Sequence, residues 1–290
     1  MCIPGGAAGS VGRRMVSVED VVRTGGPPSR PTAWRSRRVV VWVVAAAVLA
    51  GAAVGIVAAT AGAGAPGVPD ASWGVSENRA VPASVLHIPL VDQQGRTTSL
   101  SSFGGRIVVL TPFMTSCQET CPITTGAFLQ MRSDVRAAGL GGKVTFAEIS
   151  IDPGRDVPSR MAAYARLTGA NWPLLTATAS DLAALWHYFG VFYQRVPEDN
   201  PPGIDWQTGT PYTYDVNHTD GFIVLDGRLR ERFATGAAPD LGTAHLARPL
   251  AAMLDDEGRH DLAHPAVGAW TVPQGLDVIG WVAGRTIPDR

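Results

Sequence analysis

From Val39 to Ala59 the chain reads VVVWVVAAAVLAGAAVGIVAA, 21 residues without a charge or a strongly polar side chain, and the next charged residue is Asp70. At 1.5 Å of rise per residue, a helix of this length matches a hydrocarbon core of ~30 Å. A buried helix of a soluble domain would carry a polar stripe, and none interrupts this run. A cleaved signal peptide is the competing reading, since Ala61-Gly62-Ala63 resembles a cleavage site. Its apolar region would normally be shorter, about 7–15 residues. The sequence therefore predicts a transmembrane helix over residues 39–61.

Arg13, Arg14, Arg23, Arg30, Arg35, Arg37 and Arg38 precede this stretch, whereas Asp70, Glu77 and Arg79 are the first charges after it. The bias places the arginine-rich residues 1–38 in the cytoplasm and the rest of the chain on the periplasmic or extracellular face of the cell membrane, a single-pass arrangement. No cysteine directly follows the apolar run, which argues against a lipid-modified N-terminus. Overall, 24 Lys+Arg balance 25 Asp+Glu, so no basic field recommends nucleic acid as a partner. With 46% hydrophobic residues a folded core is expected, and three cysteines are too few for a disulfide scaffold. Cys2 lies across the bilayer from the other two on this topology and is left without a role.

Residues 62–81 read as a tether, 82–255 as one α/β domain, and 256–290 as a C-terminal tail with no assigned role. In the domain, His87–Asp92 and Thr97–Leu100 flank a turn at Gln93-Gln-Gly-Arg96. Continuous apolar runs at Arg106–Phe113 and Lys143–Ile151 predict buried strands, separated by a helix over Pro122–Ala138. That spacing is a βαβ unit with parallel strands and a right-handed crossover. A helix over Pro158–Thr168, a strand at Leu174–Thr176 and a helix over Ser180–Phe189 follow. After a Pro-rich irregular stretch, Asp220–Leu225 and Arg228–Phe233 form a hairpin through Asp226-Gly227, and a last helix is expected over Gly242–Asp255. The order implies a mixed sheet flanked by helices, as in thioredoxin-like folds.

The segment Thr115-Ser-Cys-Gln-Glu-Thr-Cys-Pro122 joins a buried strand to a helix. Cys117 and Cys121 thus bracket an arc ending at a helix N-terminus, where free N–H groups and the helix dipole favour thiolate. Two such thiolates suit Cu(I) or zinc. The alternative is a structural disulfide, but so short a loop restricts the unfolded chain only modestly. A metal needs further ligands. His187 falls in a helical pattern, His87 in the opening hairpin, His245 in the last helix, and His260 and His264 in the tail. His218 precedes a strand at the sheet edge where the cysteine loop also lies, and spacing alone leaves it open between a ligand and an ordinary loop histidine.

Three motifs in order, Thr115-Ser-Cys-Gln-Glu-Thr-Cys-Pro-Ile-Thr-Thr125, Ser150-Ile-Asp-Pro-Gly-Arg-Asp156 and Asn217-His-Thr219 ahead of Leu225-Asp-Gly227, make the stretch from Pro82 to Asp255 resemble the Sco/SenC/PrrC family. The resemblance implies a membrane-anchored, thioredoxin-like copper chaperone serving the copper-bearing subunit of cytochrome c oxidase, with a copper ion held by Cys117, Cys121 and His218. Asp152 matches the acidic residue of the family's Asp-Pro-x-x-x-Asp motif and is an auxiliary candidate, with a helix-initiating turn as its other reading. Gln118 stands where a proline is common, and the tail after Glu257 exceeds the usual family ending.

Such a chaperone would not turn over a substrate. The alternative function is an exported thiol-disulfide oxidoreductase acting on the cysteines of a copper-site protein, or itself served by a thiol reductant. Three residues between the cysteines, and His218 in the facing loop, favour copper. The peroxiredoxin pattern Pro-x-x-x-Thr-x-x-Cys is not matched by Pro112–Cys117.

Overall fold

The computed structural model describes residues 66–242 and 244–290, so the span expected at 39–61 lies outside the described residues. Among the described residues no helix is long and apolar enough to cross a membrane. The strands are β1 Val75–Ala80, β2 Leu90–Asp92, β3 Thr97–Thr98, β4 Ile107–Phe113, β5 Val144–Ser150, β6 Leu174–Thr176, β7 Tyr193–Val196, β8 Asp215–His218, β9 Ile223–Leu225, β10 Arg230–Ala234, β11 Pro239–Asp240 and β12 Trp270–Thr271. The helices are α1 Ala83–Leu86, α2 Thr120–Ala137, α3 Pro158–Thr168, α4 Ala179–Phe189, α5 Arg248–Ala251, α6 Asp256–Ala263 and α7 Val272–Ala283.

Eight strands form one sheet in the order β1-β10-β9-β4-β5-β6-β2-β3. The two apolar runs become its centre: β4 and β5 pair in parallel from Ile107↔Val144 to Phe113↔Ser150, and every residue of both is buried. A strand covered on both faces needs no polar alternation. The β4-α2-β5 crossover joins the β9-β10 hairpin, because β9 pairs antiparallel with β4. This βαβ unit beside a ββ unit is the thioredoxin-like arrangement, a mixed sheet with helices packed against it. Phe128 of α2 meets Phe146 of β5 edge-on at 5.2 Å between ring centroids, and Trp172 lies 6.1 Å from both.

Several elements differ from the sequence reading. The tether ends early, because Val75–Ala80 is a strand on β10. The hairpin turn is longer than Asp226-Gly227: Asp226 Oδ1 accepts the N–H groups of Arg228 and Arg230 at 2.9 and 3.0 Å, and Leu229 adopts φ 57°. The helix expected over 242–255 shrinks to α5, because Pro249 inside it has no N–H and its ring would clash with a preceding helical carbonyl. The Pro-rich stretch holds a separate two-stranded ribbon, β7-β8.

The tail supplies the helix that completes the α2 side. Thr271 and Gln274 form a reciprocal capping box, Gly284 closes α7 with φ 66°, and Leu276, Val278 and Ile279 are buried. Trp270 packs edge-on against Phe222 at 4.8 Å. Of the uncharged run Val278–Gly284 that ends this helix, Val278, Ile279 and Gly280 are buried, Trp281, Val282 and Ala283 half-buried, and Gly284 exposed.

Glu148 is the one carboxylate on the central pair of strands. Burial raises it to about 7, although Thr125 donates a hydrogen bond to Oε1 at 2.8 Å, and Oε2 has no hydrogen-bond partner. Because its folded value lies above the ordinary 4.5, the native state holds this proton longer than the unfolded chain. Its contribution is neutral below 4.5, destabilises as pH climbs to about 7, and is constant above. The gap corresponds to roughly 3 kcal/mol. Glu148→Gln should therefore unfold at higher urea than the parent at pH 8 and at a similar concentration near pH 4.5. An equal difference at both pH values would refute this.

Candidate metal centre

The cysteine loop is fixed at its entrance by one residue. Thr115 donates its N–H and hydroxyl to Asp156 Oδ1 at 3.0 and 2.6 Å, accepts from Arg160 Nε at 2.6 Å, and its carbonyl takes the Trp206 indole N–H at 2.6 Å. Asp156 also accepts the Ser150 hydroxyl at 2.6 Å. Burial raises this carboxyl to about 6 against the pull of these donors. Arg160 is itself held by Asp205 at 2.8 Å.

From Thr115 the chain turns, Cys117 N–H bonding the Met114 carbonyl at 3.3 Å, and enters α2. Cys121 and Pro122 occupy its first turn, where a missing N–H is tolerated. There Cys121 N–H donates to Cys117 Sγ at 3.3 Å. Both thiols are free and buried, 4% and 3% exposed, so contact with solvent is slight.

His218 arrives from the other side, at the end of β8, which β7 holds in register through Tyr193↔His218. Thr219 fixes the turn by bonding Phe192 in both directions, at 2.8 Å through its N–H and 3.1 Å through its hydroxyl. Gly221 follows with φ 89°, and a Cβ there would collide with the Thr235 carbonyl. Thr120 donates to Asp220 at 2.7 Å, tying the start of α2 to the histidine loop.

The sulfur and nitrogen atoms of Cys117, Cys121 and His218 lie within 4.8 Å of one another, the one such group of three among the described residues. His218 Nε2 is 3.6 Å from Cys121 Sγ, and Nδ1 is 2.9 Å from the Thr219 carbonyl. A carbonyl only accepts, so Nδ1 carries a proton and Nε2 is the atom turned to the sulfurs. This is how an outer hydrogen bond orients a ligating imidazole.

The charges separate the two thiols. The hydrogen bond from the Cys121 thiol holds Cys117 well below the usual thiol range, overcoming its burial, with the imidazole of His218 and the Cys121 N–H helping. Cys121 is pushed up by that same bond and by burial. Burial alone would lower His218, but the Cys117 bond and charge and the nearby Asp220 raise it to about 9. The cleft, about 190 Å³, is otherwise acidic: Glu119, Asp215 and Asp220 line it, and burial raises all three, Glu119 to about 8.

Asp152 stands apart from the three donors. It pairs with Arg155 and accepts the Tyr214 hydroxyl at 2.9 Å, while its carbonyl takes the Asp156 N–H at 2.9 Å, the helix-initiating turn. Arg155 lies over the Tyr214 ring at 4.0 Å and reaches Met114 Sδ at 3.9 Å, so Asp152 bears on the loop through this arginine. Sequence reasoning passed over Asp156 and Asp220. The closing acid of Asp-Pro-x-x-x-Asp and the acid two residues after His218 were the signals for them.

The sequence pattern of the SCO1/SenC family matches residues 82–254. The bovine protein SCO2 homolog, mitochondrial, is 25% identical over 165 residues, 56% of this chain and 58% of that protein, so the chain spans little more than half of it. The solved structure of Bradyrhizobium japonicum ScoI with copper bound is 22% identical, with a TM-score of 0.42 over 59% of this chain and 95% of that one. BsSco, a member of the Sco family of cytochrome c oxidase assembly proteins in which a disulfide switch was identified, is 18% identical with a TM-score of 0.39 over 55% and 84%.

Proposed function

The chain belongs to the SCO1/SenC family, and from this we propose that it is a copper metallochaperone for cytochrome c oxidase, carrying Cu(I) on Cys117, Cys121 and His218 to the copper-bearing subunit. Residues 39–61 anchor it in the cell membrane with the domain on the outer side. The observation that carries this reading is the convergence of two buried thiols and one oriented imidazole. Soft sulfur donors select Cu(I), and closed structural zinc sites take four ligands where this group offers three. The copper is cargo, held long enough to be handed over.

The same pair is competent in thiol exchange, because Cys117 favours thiolate and Cys121 lies beside it. We read exchange as the step that readies the site: an external thiol reductant converts the disulfide to the dithiol. A dithiol reductase alone would not need the Nε2 of His218 turned to its sulfurs, which favours the copper reading.

Reduced protein, loaded without oxygen against a competing Cu(I) chelator, should retain one equivalent of copper. His218→Ala should weaken it by roughly 10–100-fold, at least the effect of losing an outer partner, and leave the unfolding midpoint near the parent's. Failure to retain copper, or unaltered affinity in His218→Ala, would overturn the assignment.

A further inference from the structure

The family match stops at residue 254, and the chain touches its cysteine loop with the residues that come next. Asp255 N–H donates to the Gln118 carbonyl at 3.0 Å. The Asp255 carboxylate caps α6 through Gly258 N–H at 2.8 Å. Gly258 then lies flat on the loop: a Cβ there would sit 2.9 Å from Glu119 Cα, 3.0 Å from Leu254 Cδ2, and nearer still to the Gln118 carbonyl oxygen. The Gln118 amide lies between the carbonyls of Ile204 and Met253, at 3.4 and 3.5 Å. Asp261, one turn further along α6, lines the cleft that holds Cys117 and His218.

Gln118 and Glu119 are two of the three residues between the sulfurs, so whatever fixes their backbone fixes the spacing of the pair. The loop's own bonds, Cys117 N–H to Met114 and Cys121 N–H to Cys117 Sγ, tie down its two ends. Its middle is held from outside, by Asp255 and Gly258. A disulfide requires the sulfurs to close to about 2.05 Å, whereas a shared metal leaves them apart. A surface pressed on the middle of the loop resists that closure.

We propose that Asp255–Ala263, a segment beyond the family match, is a brace on the cysteine loop: Asp255 and Gly258 are positioning residues that hold Cys117 and Cys121 at the spacing of the open dithiol and bias the pair against disulfide formation. Its consequence for cargo rests on the copper reading, but the brace itself is measurable without metal.

The test is the thiol–disulfide equilibrium of the full-length chain in a glutathione buffer. One Cys117–Cys121 disulfide forms as one glutathione disulfide is reduced to two glutathione thiols, both protein thiol protons passing to the glutathione. Gly258→Ala pushes α6 off the loop, and Asp255→Pro removes the donor N–H at a φ of −80° that proline accepts. Each should shift the equilibrium toward disulfide by about tenfold, ~30 mV. Asp255→Asn, which keeps both N–H and cap, should match the parent. If Gly258→Ala fails to fold, Asp255→Pro decides. An equilibrium unchanged within about twofold in the folded variants, a shift toward dithiol, or an Asp255→Asn shift as large as that of Asp255→Pro would overturn the brace. A parent that holds no Cu(I) would overturn the copper reading alone and leave this result intact.

Discussion

Cys117→Ser, Cys121→Ser and the double variant should each lose tight Cu(I) binding, by more than about 100-fold, because a soft thiolate holds Cu(I) more firmly than the imidazole, whose loss is expected to cost roughly 10–100-fold. Each single variant leaves one sulfur and the imidazole, the double variant the imidazole alone, and a serine hydroxyl is a hard, neutral oxygen that Cu(I) does not favour. The variants should differ in a second respect. Cys117 accepts the Cys121 N–H, and its hydrogen bond and charge raise His218, so Cys117→Ser removes the thiolate partner of the imidazole. NMR titration of His218 in the metal-free proteins should show its value falling from about 9 in Cys117→Ser. Burial would then act on it unopposed by that thiolate. Chelator competition reads the affinity, and equal copper retention by the double variant would remove both cysteines from the site.

Oxidation should switch loading off as completely as mutation does. A Cys117–Cys121 disulfide consumes both thiolates, leaving His218 with carboxylates nearby, a nitrogen and oxygen set suited to harder ions than Cu(I). The two thiols are free, with their sulfurs within 4.8 Å of each other, and on the expected topology Cys2 lies across the membrane from them. Cu(I) affinity measured before oxidation, after it, and after re-reduction should fall by at least ~100-fold and then recover. An affinity unaffected by oxidation would mean that the sulfurs are not ligands, and the exchange reading would take the place of the copper one.

The centre of the fold was legible because it is made of side-chain patterns. Continuous apolar runs marked β4 and β5, Pro158 and Gly169 bounded α3, and the cysteine loop followed from the strand and helix on either side of it. What escaped was structure held by backbone pairing or by distant partners. β1, with the sequence VSENRA, has no buried side chain to announce it and exists because β10 offers unpaired backbone groups. The β7-β8 ribbon that presents His218 is largely polar too, so the motif Asn217-His-Thr219 indicated the candidate ligand before any element could be assigned around it. In the tail, left without a role in the sequence, α7 is settled by the α2 face it packs against, a partner distant in the chain. The contact of Gly258 with Gln118 joins positions far apart in the chain, which no local pattern encodes.

The strand β1 also decides where this protein can be cut. The family match opens at residue 82, two residues after β1 ends at Ala80. A fragment begun at that boundary would bare the outer rim of β10 and leave Glu231, 1% exposed and paired with Arg79 at 2.5 Å in the intact chain, without its guanidinium. Bare rims recruit strands from neighbouring molecules, and natural sheets blunt them with charge and irregular register. β1 does both, with Glu77 and Arg79 on its length and a bulge between Ser76 and Arg79. The stretch that reads as spacer thus covers an open sheet edge, and a fragment begun before Val75 should self-associate less than one begun at residue 82.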